Sequence, residues 1–167
     1  VSSDHSPYRM DETGKLANGP DAPFTVIANG MPGIGARLPL LFSEGVGKGR
    51  LTMPDFVALS STNAARLYGL LPQKGTLAIG ADADIAIWDP AAKGVISTNN
   101  QHDNAGYSPF EGWKVTGLPI TTLSRGTRVV DRGQLYAKAG HGQFLPRAKF
   151  DPTGRKGTHL PELDIAR

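Results

Sequence analysis

The sequence predicts an α/β chain, and three observations carry that reading. Before Pro72 apolar residues recur at helical spacing, and after it they alternate with polar ones. Throughout, 21 glycines and 13 prolines break the 167 residues into many turns. Hydrophobic residues make up 39% and charged residues 20%, a globular profile with room for a modest core.

The elements follow in chain order. Residues 1–50 read as a strand end and then long loops, in "ANGPDAPFTVIANGMPGIGARLPLLFSEGVGKGRL". Loops of this length inside a compact domain are often functional. Within them "RLPLLFSEGV" (37–46) suits a short helix, with Leu38, Leu41 and Phe42 on its apolar face and Gly45 as its stop. Residues 52–69 predict two short helices. Thr52 caps the first, with Pro54 in its first turn and Asp55 placed to close a capping box. Ser61 or Thr62 caps the second, Ala64, Ala65, Leu67 and Tyr68 supply its apolar surface, and Gly69 ends it.

Beyond Pro72, "GTLAIGADADIAIWDP" predicts two strands about a turn at 80–82. Leu77, Ile79, Ile85, Ile87 and Trp88 supply their buried faces. "WKVTGLPITTLSRGTRVVDRGQLYA" predicts further strands, with "DRG" (131–133) as a hairpin turn. The last thirty residues carry little periodicity and read as an arm that packs on another surface.

Composition excludes several classes. A net charge of +3 without a basic, aromatic-laced stripe speaks against nucleic-acid binding. The cluster Arg147, Lys149, Arg155 and Lys156 reads as a solvated tail. With no cysteine there are no disulfides or thiolate metal sites, which fits a reducing cytoplasm. No apolar run is long enough for a membrane span, and the start lacks the features of a signal peptide.

Read from residues alone, the chemistry is thin. His5, His102, His141 and His159 form no H-x-H or H-x-x-x-H pair, so this chain alone predicts no complete metal site. Ser3, Asp4 and His5 are consecutive and cannot form a triad, because neighbours on a strand point to opposite sides. "GVGKGR" (45–50) lacks phosphate-loop spacing and reads as a loop. Asp82, Asp84 and Asp89 read as turn and strand-end hydrogen-bonding residues. A lone Asp4-His5 at a strand end is most often a cap or turn.

Several motifs in order change that balance: "SDHSPY", "FTVIANGMPGIGARLPLLFSEGVGKGRL", "STNAARLYGLLPQKGTLAIGADADIAIWDP", "PFEGWKVTGLPITTLSRGTRVVDRGQL" and "GHGQFLPR". Residues 2–147 thereby resemble the C-terminal third of the dihydropyrimidinase and D-hydantoinase family, cyclic-amide members of the amidohydrolases. The resemblance implies the last strand and closing helices of a (β/α)8 TIM barrel in residues 1–68. It implies C-terminal strands of a flanking β-sandwich in 69–137 and an oligomer-contact arm in 138–167. A half-barrel would expose much apolar surface, so an N-terminal chain or fragment of the same enzyme is expected as partner, in a homo-oligomer (a dimer or tetramer of the assembled unit).

The resemblance also implies a site. Such enzymes hold two divalent metals, most often two Zn²⁺, with an H-x-H pair, a carboxylated lysine and further histidines on the N-terminal part. Asp4 matches the family's final metal-binding aspartate, which also shuttles a proton from the metal-bridging hydroxide to the leaving nitrogen. His5 would support it from behind, and Asn29 matches the asparagine whose backbone meets the cyclic amide. Ala28 replaces the family's proline, Gly35 a glutamate, and "DHSPY" the usual Asp-His-Cys-Pro-Phe. The implied activity is ring opening of hydantoins, dihydropyrimidines or related cyclic amides and imides. The alternatives are a non-catalytic dihydropyrimidinase-related structural protein, or a neighbouring specificity such as allantoin or dihydroorotate hydrolysis.

Overall fold

A computed structural model describes residues 1–147. Residues 148–167, which hold most of the expected arm and the basic cluster beyond Arg147, lie outside the described residues.

The helical half differs from expectation in its boundaries. Helix α1 (Ile34–Leu40) begins before Arg37 and runs on without a break into a wider, π-helical turn over Leu41–Val46. Pro39 lies inside it, and in the widened turn the Gly47 N–H reaches five residues back to the Phe42 carbonyl at 2.8 Å. Gly45 is therefore no stop. It is buried within the turn, where a Cβ would come within 2.7 Å of Leu51.

The pair of short helices expected over residues 52–69 is one continuous helix. Helix α2 (Met53–Val57) passes through a π-helical turn (Ala58–Thr62) into helix α3 (Asn63–Leu67). The Thr52 capping box is present, with the Asp55 N–H donating to Thr52 Oγ1 at 3.2 Å and the Thr52 N–H donating to Asp55 Oδ2 at 3.0 Å. No second cap exists at Ser61 or Thr62. Thr62 has helical dihedrals, and its hydroxyl donates instead to the Gly75 carbonyl at 2.7 Å. Gly69, with φ +69°, ends the helix as expected.

The sheet is a four-stranded antiparallel meander in the order β1 (Ile85–Val95), β2 (Lys114–Ser124), β3 (Thr127–Asp131), β4 (Gln134–Leu135). Both tight hairpins place two residues at positive φ, Arg125-Gly126 and Arg132-Gly133, as the right-handed strand twist requires. In β1 the register slips between Asp89 and Lys93, where Pro90 cannot donate. The Asp89 carboxylate accepts the Ala91 N–H at 2.9 Å and closes the bulge.

Leu77 and Ile79 correct the sequence reading. They form no strand, and Leu77 is 76% exposed while Ile79 is fully so. A strand needs a hydrogen-bonded neighbour, and no described residue pairs with this run. Ile87 is also half exposed. The stretch around 80–82 is instead tied down by Lys74, whose ammonium bridges Asp82 (2.7 Å) and Asp84.

Packing joins the two halves. Phe42, Phe56 and Trp88 form a three-ring cluster with centroids 4.8 to 5.4 Å apart, Phe42 stacked on Trp88 and Phe56 edge-on to both. Gly117 in β2, at φ +91°, makes room for it, since a Cβ there would stand 2.1 Å from the Phe42 ring. The buried Ser43 hydroxyl accepts the Thr116 N–H at 3.1 Å, so a polar group fastens the same seam. Beside it, Ala36, Ile96 and Val115 are buried against Leu40, Phe110 and Leu118.

Candidate active site

The expected strand at the start of the chain is reduced to a single parallel bridge between His5 and Met31, with the Ser6 N–H donating to the Met31 carbonyl at 3.3 Å. That bridge still brings the two candidate segments together. Gly30, at φ +110°, crosses so close to residue 6 that a Cβ would lie 2.4 Å from the Ser6 carbonyl oxygen. Only glycine fits there, on conformational and on steric grounds. Asn29 is thereby delivered beside the Asp4–Ser6 segment.

Asp4 is exposed and has φ +46°, a left-handed conformation that costs a non-glycine residue roughly 1 kcal/mol. Among the described residues its carboxylate enters no salt bridge. A free carboxylate on such a backbone suits one hard-cation ligand position. One is all this segment offers, since no three His, Cys, Asp or Glu side chains converge among the described residues.

His5 points back into the fold. Its Nδ1 accepts the N–H groups of Gly33 (3.1 Å) and Ile34 (3.3 Å), capping the start of α1, which has no cap of its own. The imidazole therefore ties the Asp4 segment to the helix that follows the Asn29 loop.

The carbonyls flanking Asn29 are both engaged. Ala28 O accepts from Lys15 Nζ at 2.7 Å, and Gly30 O from the Tyr107 hydroxyl at 3.4 Å. Burial, and then the charge of Asp103, push the Tyr107 phenol up, so it remains a protonated donor. Among the described residues Asn29's own N–H and C=O make no backbone hydrogen bond, which leaves them available to a ligand.

A cleft of about 360 Å³ opens beside His5, lined by Ile34, Gly35, Gln101, His102 and Asp103. The Gln101 amide oxygen occupies the space of a side chain at position 35, only 2.2 Å from where a Cβ would be. Gly35 thus exchanges a side chain on α1 for one from the loop after Ile96. Sequence reasoning found Gly35 but not its counterpart Gln101, nor Lys15 or Tyr107, because each acts across a distance that no local pattern records.

Residues 34–129, over half of the chain, match the amidohydrolase family, and the chain belongs to it. Within that family its similarity is to hydantoinases and dihydropyrimidinases. It is 52% identical over 144 residues to the D-hydantoinase of Geobacillus stearothermophilus, covering 86% of this chain and 29% of that protein. It is 44% identical over 152 residues to a D-phenylhydantoinase of Escherichia coli K12, covering 91% of this chain and 32% of that protein. Among solved structures, D-hydantoinase from Bacillus sp. AR9 superposes with a TM-score of 0.84 at 46% identity. Dihydropyrimidinase from Brevibacillus agri superposes with a TM-score of 0.84 at 44% identity, and each match covers 90% of this chain and 32% of the other. The chain spans about a third of the length of the relatives it matches. Among the described residues no helix is long and apolar enough to cross a membrane.

Proposed function

We propose that the chain forms the C-terminal part of a metal-dependent cyclic amidohydrolase that opens hydantoins, dihydropyrimidines or related ring amides. The observation that carries this reading is the juxtaposition of a free, strained Asp4 with an Asn29 whose backbone groups are uncommitted. It stands beside similarity to several proteins named hydantoinase.

Asp4 would hold a divalent metal through its carboxylate. The same carboxylate would take a proton from the attacking water and return it to the ring nitrogen as the C–N bond breaks. Asn29 would pair its backbone N–H and C=O with the amide of the ring. His5 would keep the Asp4 segment in register with α1. Divalent metal ions, most often zinc, polarise a carbonyl and acidify water when bound. The remaining ligands, a carboxylated lysine among them, would come from polypeptide outside this chain.

The domain reading follows the same logic. Residues 1–68 would close a barrel, 69–137 would complete a β-sandwich, and 138–167 would meet a neighbouring subunit. Exposed Phe24, Leu77 and Ile79 support this, since apolar side chains so open to water call for a covering surface. The test is metal analysis of the purified, assembled protein together with ring-opening assays on hydantoin and dihydrouracil. Stoichiometric metal with turnover supports the reading. Metal-free protein without turnover would favour the non-catalytic relative, and turnover on allantoin alone the neighbouring specificity.

A further inference from the structure

Lys15 lies in a long loop that carries no motif, yet its ammonium has a particular setting. It donates to Ala28 O at 2.7 Å in a part-buried position and sits 6.0 Å from the Tyr8 ring centroid and 5.9 Å from that of Tyr107. Among the described residues it has no carboxylate partner. Two aromatic faces and one carbonyl are thus its surroundings, a setting in which a cation is held by ring quadrupoles and a single strong hydrogen bond.

The local fold delivers it there. The turn carrying Lys15 is cinched by its own N–H to Arg9 O at 2.8 Å. Gly14 permits the crossing, since a Cβ would lie 2.2 Å from the same carbonyl oxygen. Asp11 accepts the Thr13 N–H and hydroxyl at 2.9 and 2.6 Å. The base of the turn is anchored to a segment distant in sequence, where the Met10 N–H donates to the carbonyl of buried Ala105 at 2.9 Å, two residues before Tyr107. Asn18 adds a second tether, its side-chain amide donating to Val26 O at 2.9 Å.

We propose that Lys15 is a positioning residue for the Asn29 loop. Gripped between Tyr8 and Tyr107, it holds the Ala28 carbonyl and so sets the direction in which the Asn29 backbone faces a ring amide. Tyr107 holds the Gly30 carbonyl from the other flank. The inference rests on the role proposed for Asn29, but the grip on the loop is testable apart from it.

Two readouts on the assembled protein decide the matter. In Lys15→Met, which keeps the apolar stem and loses the donor, amide hydrogen exchange in a peptide spanning residues 28–34 accelerates about tenfold, the effect of one lost charge-assisted hydrogen bond. Exchange in the hairpin from Lys114 to Asp131 stays unchanged and serves as the folding control. KM for hydantoin or dihydrouracil rises about tenfold while kcat changes less than about threefold. Lys15→Arg keeps the cation and recovers part of both effects, and Tyr107→Phe gives a smaller version of each. Unaltered exchange in Lys15→Met overturns the grip, and faster exchange with an unaltered KM overturns the positioning role. If the wild-type protein opens no cyclic amide, the functional reading fails, while exchange still decides whether Lys15 holds the loop.

Discussion

Two regions of this molecule are built on opposite principles. The seam between α1, α2 and the sheet is held by packed rings and small apolar residues, with buried Phe42 and Phe56 against half-buried Trp88 at its centre. Residues 1–31 are mostly exposed. One isolated bridge, two close glycine crossings and side chains donating to carbonyls hold them in place. The first arrangement resists change because its neighbours interlock. The second specifies where a few backbone groups point while burying little. A packed seam carrying a polar, tethered loop is the division expected between a scaffold and a candidate site.

That contrast can be broken at either end. Phe42→Ala removes the ring on which Trp88 stacks and empties the space that Gly117 leaves. It lowers stability by about 4 kcal/mol, read by thermal or denaturant unfolding. Gly30→Ala works in reverse. The new methyl meets Ser6 at a backbone conformation hostile to alanine, so the Asn29 loop moves away from Asp4. The thermal midpoint falls less than for Phe42→Ala, while kcat/KM drops roughly 100-fold, as expected for a displaced binding group.

The smallest effect concerns the Lys74 tether. The hydrogen bond from Lys74 holds Asp82 below the usual carboxylate value. For Asp84, burial pushes up, but Lys74 and the Arg125 N–H pull it lower on balance. Hydrogen bonds to Asp82 and then Asp84 raise Lys74 in turn. Depressed carboxylates stabilise the fold above their ordinary value of 3.8, and that contribution disappears as pH falls through their lower folded values. The raised lysine contributes below 10.5, and its contribution disappears as pH climbs through its folded value. Lys74→Met therefore lowers the melting temperature by about 2 °C near neutral pH, with the gap closing toward both extremes.

Features written in short windows were legible in the sequence. The Thr52 capping box, the turn at 131–133 and the helix end at Gly69 need only their neighbours, and each is where the residues put it. Gly45 misled because a glycine after an apolar run signals a stop, whereas here the space beside Leu51 demands it. Thr62 misled because its hydroxyl has a distant acceptor in Gly75. Leu77 and Ile79 alternate as a strand does, yet a strand is a property of two segments, and no described residue supplies the second.

The site was legible only in part, for the same reason. Asp4, His5 and Asn29 stood out through motif resemblance, and the structure brings their segments together. What holds them could not be read locally, since His5 caps a helix 28 residues on and Lys15 reaches 13 residues to Ala28.

The role proposed for Asp4, the reacting carboxylate of a metal-dependent ring-opening site, is decided by Asp4→Asn made in the assembled protein. Bound metal and hydantoin or dihydrouracil turnover are measured on the same sample. Asp4→Asn is expected to lose about 1,000-fold in kcat and to bind less metal. Full turnover with full metal content in that variant would contradict that role.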